Sequence, residues 1–371
     1  MKYLFDIGHP AHVHYFKNLI RILEKSGHQV AITARDKEIS LYLLDSCKLQ
    51  YTCTGKNLPS KIGKLYSILR NDAAIYRVAK KFKPDLFVSF FSPFAAHVGK
   101  LIGKPVIGFN DTENAKISIM FAKPFTDFII VPDCYKGKLP IDKKIRFSGY
   151  LELSYLHPHR FAPDSSVLNL LGVKEDEKYV IIRFVSWSAG HDFGHSGISL
   201  DMKRKAVKEF SKYATVFITS EKELSPDLKP YQINIPPEKM HDALAYATLL
   251  YGESPTMASE CAVLGTPAIY LDDEGRGYTD EEEEKYGLVF NFTESIKDQK
   301  LSIQKGLKLL NIPNIKEKWQ KKREKMLSEK IDVTAFMVWL IENYPESAKI
   351  MRDDPDYQYK FLSADYADYL D

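Results

Sequence analysis

Short apolar runs that alternate with helical stripes, from the first residues to beyond residue 270, constrain this chain more than any other feature. Residues 3–7 (YLFDI) read as a strand, and Val13, Phe16, Ile20 and Leu23 then share one helical face that stops at Gly27. Residues 29–33, 86–91, 106–109 and 128–131 read as further strands, with helices over 61–82 and 94–102 between them. Strands separated by helices pair in parallel, so an α/β doubly wound domain is expected. Residues 145–150 close it, and the Pro- and His-containing run 156–163 reads as a linker. The pattern then restarts with strands at 179–185, 215–219, 248–251 and 267–271. Helices are expected between them, about Met202 to Tyr213, from Pro236 to Ala247, and from Thr256 to Leu264.

The expected organisation is a Rossmann-like domain over 1–155, a second over 156–331 and a cleft between them. The charged helical tail from Ile315 offers Trp319, Phe336, Trp339 and Leu340 for packing, and its part over 332–371 is expected to return to the first domain. At 371 residues the chain is too long for one ordinary core. A hydrophobic share of 44% with 27% charged residues fits a folded chain rather than a disordered one. No signal-peptide pattern and no bilayer-length apolar run stand out, and Cys47, Cys53, Cys134 and Cys261 read as buried thiols of a reducing compartment. A cytoplasmic protein is expected.

The net charge of +3 hides an asymmetry. Residues 1–150 hold 24 Lys and Arg against 12 Asp and Glu, which leaves 28 against 37 for the remainder. A basic first half fits a peripheral contact with the anionic inner face of a membrane, or an anionic acceptor, as well as an ordinary solvated surface. Nucleic acid is not expected as a partner, because no recognition motif accompanies the basic residues.

The most informative segment is residues 248–269, TLLYGESPTMASECAVLGTPAI. A strand enters a turn of small and hydroxyl residues and a helix leaves it, so free amides at the helix start suit a diphosphate. Ser254 and Thr256 can add hydroxyl donors there, Met257 lies in the same first turn, and Glu260, about one turn in, can accept hydrogen bonds from ribose hydroxyls. The same residue types also cap helices without any ligand. A serine hydrolase reading of Ser254 is weakened by Thr256, which fits badly where a nucleophile elbow needs a small residue.

Three more segments carry candidate chemistry. In the loop after the first strand, GHPAHVH at 8–14, His12 or His14 at a helix start can meet an oxyanion or exchange a proton, and Gly8 lets a ligand approach the backbone. The full dinucleotide fingerprint is missing, so no cofactor is expected, and the spacing of His9, His12 and His14 does not support a metal. In the run NDTEN at 110–114, Asp111 and Glu113 follow a strand and are candidate bases, although Asp111 also suits a helix cap. In the second half, Arg183, Ser186 and His191 are expected at the diphosphate, with Ser220, Glu221 and His241 bordering the base or ribose.

The segment 248–269 resembles the nucleotide-binding loop and helix of the GT-B superfamily, including UDP-N-acetylglucosamine 2-epimerase and the glycosyltransferase that makes lipid II. Ser254, Glu260 and the LGTP run at 264–267 follow one another as they do there. With GHPAHVH at 8–14, NDTE at 110–113, GYLELSYLH at 149–157, VSW at 185–187 with His191 and Asp192, and ITSE at 218–221, the chain is most similar to a bacterial and archaeal family related to those enzymes. The resemblance implies a GT-B-like fold and a nucleotide diphosphate sugar, with uridine as the expected base. Glycosyl transfer to an acceptor sugar or lipid-linked sugar, for cell-envelope polysaccharide or glycolipid, is the leading expectation. A 2-epimerase is the alternative; Asp111 and Glu113 fall near that enzyme's acidic catalytic residue, but residues 116–123 contain no acid to act as its partner. A non-catalytic sugar-nucleotide-binding protein is the second alternative.

Overall fold

The computed structural model describes residues 1–56, 61–185 and 197–362. It divides into two compact units, Met1–Arg160 with the chain from Lys330 onward, and Phe161–Glu329. Among the described residues no helix is long and apolar enough to cross a membrane.

The first unit runs β1 (Lys2–Ile7), α1 (Pro10–Lys25), β2 (Gln29–Asp36), α2 (Ser40–Ser46), β3 (Thr52–Lys56), α3 (Lys61–Phe82) and β4 (Leu86–Ser89). It continues through α4 (Pro93–Leu101), β5 (Val106–Phe109), α5 (Lys116–Ala122), β6 (Phe128–Pro132), β7 (Lys144–Phe147) and α6 (Leu153–Leu156). Its seven strands lie in the order β3-β2-β1-β4-β5-β6-β7, every pairing parallel. Central strands β1, β4 and β5 are almost wholly buried, as their uninterrupted apolar runs require. Leu4, Phe87, Phe91, Ile75, Val98 and Val106 form part of one core cluster with α3 and α4. Helix α1 begins at Pro10 beneath the His9 cap and buries Val13, Phe16, Ile20 and Leu23 on one stripe.

The second unit holds α7 (Ser166–Leu171), β8 (Tyr179–Phe184), α8 (Leu200–Phe210), β9 (Thr215–Ser220), α9 (Met240–Tyr246), β10 (Leu249–Gly252) and α10 (Pro255–Leu264). After these come β11 (Ala268–Leu271), α11 (Gly277–Glu284), β12 (Val289–Phe292), α12 (Ile296–Leu310) and α13 (Ile315–Glu329). The sheet order is β12-β11-β10-β8-β9, again all parallel. The chain then re-enters the first unit, where α14 (Val333–Glu342) packs on α1 and α6 and is followed by α15 (Glu346–Asp353).

Each sheet has one point where neighbouring strands send their connections to opposite faces, between β1 and β4 in the first and between β8 and β10 in the second. At such a switch point the loops beyond the carboxyl ends diverge and leave room for a ligand.

Two sequence expectations need correction here. The run 156–163 is not a free linker from its start, because Leu156 and His157 are 0% and 1% exposed. The run GYLELSYLH before it is the junction of α1, α6 and α14: Ser154 donates to the Tyr15 carbonyl at 3.1 Å, while its own carbonyl accepts from Asn18 at 2.9 Å and Thr334 at 2.6 Å. Nor are all four thiols buried. Only Cys261 is; Cys53 lies exposed on edge strand β3, and Cys47 and Cys134 are half-buried.

Candidate nucleotide and acceptor sites

At the switch point of the second sheet, β10 ends at Gly252, where a Cβ would sit 2.2 Å from the Arg183 carbonyl oxygen of β8. Only glycine allows the two strands to approach so closely before they part. Ser254 then caps α10, its hydroxyl accepting from the Met257 amide at 3.3 Å, with Pro255 at the first helical position and Gly265 in the left-handed region closing the helix. Ser254, Thr256 and Met257 are half-buried, so the first turn keeps access to solvent. Glu260 lies one turn further along α10. It is buried, and its carboxylate accepts from His241 Nε2 on α9 at 2.9 Å, with the Phe161 ring edge-on to the imidazole. The structure thus joins two residues whose spacing gave no sign of pairing.

Glu253 was absent from the sequence-based set and holds the base of this site. Fully buried, it accepts from the Val185 amide at 2.8 Å and the Ile198 amide at 2.5 Å, with Lys203 Nζ 3.5 Å away. Both ends of the connection from β8 to α8 are therefore tied to the residue before the α10 cap. Ser186 and His191, expected at the diphosphate, lie on that connection outside the described residues.

Arg183 Nη1 donates to Thr219 Oγ1 at 3.0 Å and Nη2 to Glu221 Oε1 at 2.6 Å, so two of its five N–H groups hold the neighbouring strand end. Glu221, expected at the base or ribose, is its partner, and the Ser220 hydroxyl accepts from the Lys222 amide at 3.3 Å. Beyond β11 two further charged groups escaped sequence reasoning. Asp272 accepts from the Tyr270 hydroxyl at 2.5 Å and lies 3.6 Å from Arg276, which precedes α11.

In the first unit, the switch point is closed by Asp6, which is 1% exposed and accepts from Ser92 Oγ at 2.5 Å and Thr33 Oγ1 at 2.9 Å. Arg35 lies 3.8 Å from the same carboxylate and over the Phe94 ring at 4.8 Å. Gly8 passes directly beneath it, where a Cβ would collide with Nη2. The Gly8 amide donates to His12 Nδ1 at 3.2 Å, which fixes the neutral tautomer with its proton on Nε2. Burial first, then neighbouring His9 and the positive Arg35 and Lys37, holds the His12 pKa well below the ordinary histidine value. A ring that already accepts at Nδ1 and carries a proton at Nε2 serves as a hydrogen-bond donor, not as a base. His14 is turned away and stacks on Tyr155, with ring centroids 5.2 Å apart.

Asp111 is buried beyond β5 and accepts from the Thr112 hydroxyl at 2.8 Å. Glu113 is half-buried and accepts from the Lys136 amide at 3.1 Å, and it lines a cavity of about 480 Å³. Tyr135 lines the same cavity; burial first, then the Glu113 charge, pushes its phenol up to about 12, so it remains protonated at neutral pH. Within the first unit His157, His159 and Asp332 come within metal-ligand reach of one another. Asp332, however, caps α14 through the Ala335 amide at 3.0 Å and holds Arg160 at 2.8 Å, so both of its oxygens are occupied.

Two parallel-sheet units of this kind define an α/β protein of GT-B-like fold. The chain belongs to the family described as "Protein of unknown function (DUF354)", which matches residues 1–276. An uncharacterized protein of Methanocaldococcus jannaschii is 26% identical over 276 residues, covering 71% of this chain and 80% of the relative. Among solved structures, a UDP-GlcNAc 2-epimerase from Neisseria meningitidis bound to UDP-GlcNAc superposes with a TM-score of 0.67 at 14% identity, over 92% of this chain and 100% of the other. A spinosyn rhamnosyltransferase complexed with thymidine diphosphate gives a TM-score of 0.61 at 14% identity, with coverage of 92% and 100%. At such identities the likeness is one of fold.

Proposed function

We propose that this protein is a glycosyltransferase that takes a nucleotide diphosphate sugar, with uridine as the base, on its second unit and an acceptor on its first. One observation carries the reading: at the switch point of the second sheet, a serine-capped helix start lies beside the buried His241–Glu260 pair. The Thr256 amide at the start of α10, with the Ser254 and Thr256 hydroxyls, suits a diphosphate, and the Glu260 carboxylate held by His241 stands one turn further in for the ribose. Solved structures of this fold hold UDP-GlcNAc or thymidine diphosphate, which supports a nucleotide-sugar ligand here.

In the transfer, an acceptor hydroxyl oxygen bonds to the anomeric carbon as the bond from that carbon to the diphosphate oxygen breaks. The hydroxyl proton passes to a carboxylate, for which Glu113 on its cavity is the better placed of the two acids, since Asp111 is buried against Thr112. Charge on the departing diphosphate is stabilised by the Thr256 amide, the Ser254 and Thr256 hydroxyls and the positive end of α10, and His12 Nε2–H donates to an oxygen on the acceptor side. We place the reaction on the cytoplasmic side, in the synthesis of envelope polysaccharide or glycolipid.

A 2-epimerase is the second reading, favoured by the fold match to the Neisseria meningitidis enzyme. Incubation with UDP-N-acetylglucosamine alone separates the two: an epimerase releases UDP or a manno product, whereas a transferase leaves the donor almost intact. The nucleotide site itself is tested by thermal shift with nucleoside diphosphates and their sugars, since a ligand of the folded state raises its stability. A rise for the native protein that Glu260→Ala and Ser254→Ala both reduce is expected. No rise with any nucleotide would overturn the proposal.

A further inference from the structure

The cavity beside Glu113 has a composition that the transfer reaction does not require. Ile119, Met120 and Pro124 supply apolar walls, while Lys116, Lys123 and Lys138 stand around them. Among the described residues none of these three lysines forms a salt bridge, and Glu113 is the one carboxylate on the lining. Three ammonium groups against one carboxylate, beside apolar walls, favour an anionic group attached to an apolar body.

The surface beside the cavity is apolar as well. Met120 is 59% exposed, Phe121 47% and Phe125 38%, and Ile141 and Leu101 are more open still. The Phe125 ring meets His97 of α4 edge-on at 5.2 Å, and Leu101 lies one turn beyond His97. Lys143 Nζ donates to the Thr126 carbonyl at 2.8 Å and reaches those of Lys123 and Pro124 at 3.4 Å, which fixes the loop carrying Ile141 against the same turn. A soluble surface does not gather large apolar side chains next to unpaired lysines unless something covers them.

We infer that this face docks on an anionic lipid surface, one phosphate-bearing headgroup entering among Lys116, Lys123 and Lys138 while Met120, Phe121 and Phe125 reach the acyl boundary. Charge and apolarity act together here, as they must for a face that lies on a bilayer without spanning it. The inference rests on the proposed function only in taking the lipid side of the first unit as its acceptor side; lipid binding is measured without any donor.

The test is flotation of the full chain with vesicles of phosphatidylcholine, with and without phosphatidylglycerol. Binding is expected only where phosphatidylglycerol is present, and it weakens as salt rises. Replacing all three lysines (Lys116→Glu, Lys123→Glu, Lys138→Glu) is expected to lower vesicle binding about tenfold or more, given the attraction each basic residue gains at such a surface. Met120→Ser with Phe121→Ser removes the apolar part and lowers binding at unchanged charge. An unchanged melting midpoint shows that each variant is folded, and the nucleotide thermal shift is read separately. Absence of flotation by the native chain, or flotation equal to native in both variants, overturns the inference. Stabilisation by inorganic phosphate that depends on the lysines, without flotation, assigns the cavity to a soluble phosphate instead and overturns it too.

Discussion

The imidazole of His241 on α9 and the carboxylate of Glu260 on α10 meet at 2.9 Å, with both side chains buried. Burial leaves both to rely on partners within the protein, and each is one of the other's. Glu260→Ala should therefore cost about 1–3 kcal/mol, the range for a buried polar group left without its partner. His241→Ala should cost a similar amount, and the double variant less than the two together, with a coupling of roughly 0.5–3 kcal/mol. Thermal or denaturant unfolding of the four proteins completes the cycle. Additive losses would show that the pair is not coupled.

Ser254 has two roles that one substitution cannot separate. Its hydroxyl caps α10, and the same hydroxyl faces the proposed diphosphate. Ser254→Ala should lose about 1 kcal/mol of cap and some nucleotide affinity together. Ser254→Asp keeps a capping oxygen and suits the helix dipole, yet sets a negative charge where the diphosphate would lie. The aspartate variant should melt close to the native midpoint while its nucleotide-dependent rise disappears. A full nucleotide response in Ser254→Asp would move the diphosphate away from this turn.

The alternation of apolar runs and helical stripes made the central strands legible, because β1, β4, β5, β8, β10 and β11 are buried on both faces and carry almost unbroken apolar runs. The edge strands β3 and β12 were not. In β3, TCTGK buries only Thr54, and β12 buries only Val289, so neither offers a periodic signal. Helix α2 is a seven-residue piece, too short for a stripe. At the sites, positions could be read but partners could not. Arg183, Glu221, His241 and Glu260 lie where the strand and helix ends put them, but which acid meets which base depends on the crossing of α9, α10 and β9. Asp6, Glu253 and Asp272 left one signal that sequence reasoning passed over: each is a charged residue at the carboxyl end of an apolar strand, and each proves to be buried and bonded.

Glu253 joins the α10 turn to both ends of the β8–α8 connection, through Val185 and Ile198. Glu253→Gln keeps the shape but offers a single acceptor oxygen, so one buried amide loses its partner and Lys203 loses its counter-charge. The expected loss is about 1–3 kcal/mol. Hydrogen exchange should localise it: the Val185 and Ile198 amides should exchange faster in the variant, while the amides of β1, in the other unit, keep their native protection. Equal exchange at Val185 and Ile198 in both proteins would show that Glu253 does not hold the connection.

His12 gives the protein a predictable sensitivity to acid. Its folded-state pKa lies well below the model-peptide value of 6.5, chiefly through burial and then through His9, Arg35 and Lys37. Below 6.5 the unfolded chain therefore takes up a proton at this residue that the folded chain refuses. The stabilisation from keeping His12 neutral is complete above that value and is lost progressively as pH falls toward the folded-state pKa, by up to about 1.4 kcal/mol per pH unit. His12→Asn retains an acceptor for the Gly8 amide but has nothing to protonate. Between about pH 7 and about pH 5, the melting midpoint of the native protein should fall more steeply than that of the asparagine variant. Parallel curves would mean that His12 takes up its proton as readily in the folded state as in the unfolded, and the Gly8 bond that holds its Nδ1 unprotonated would then fail with them.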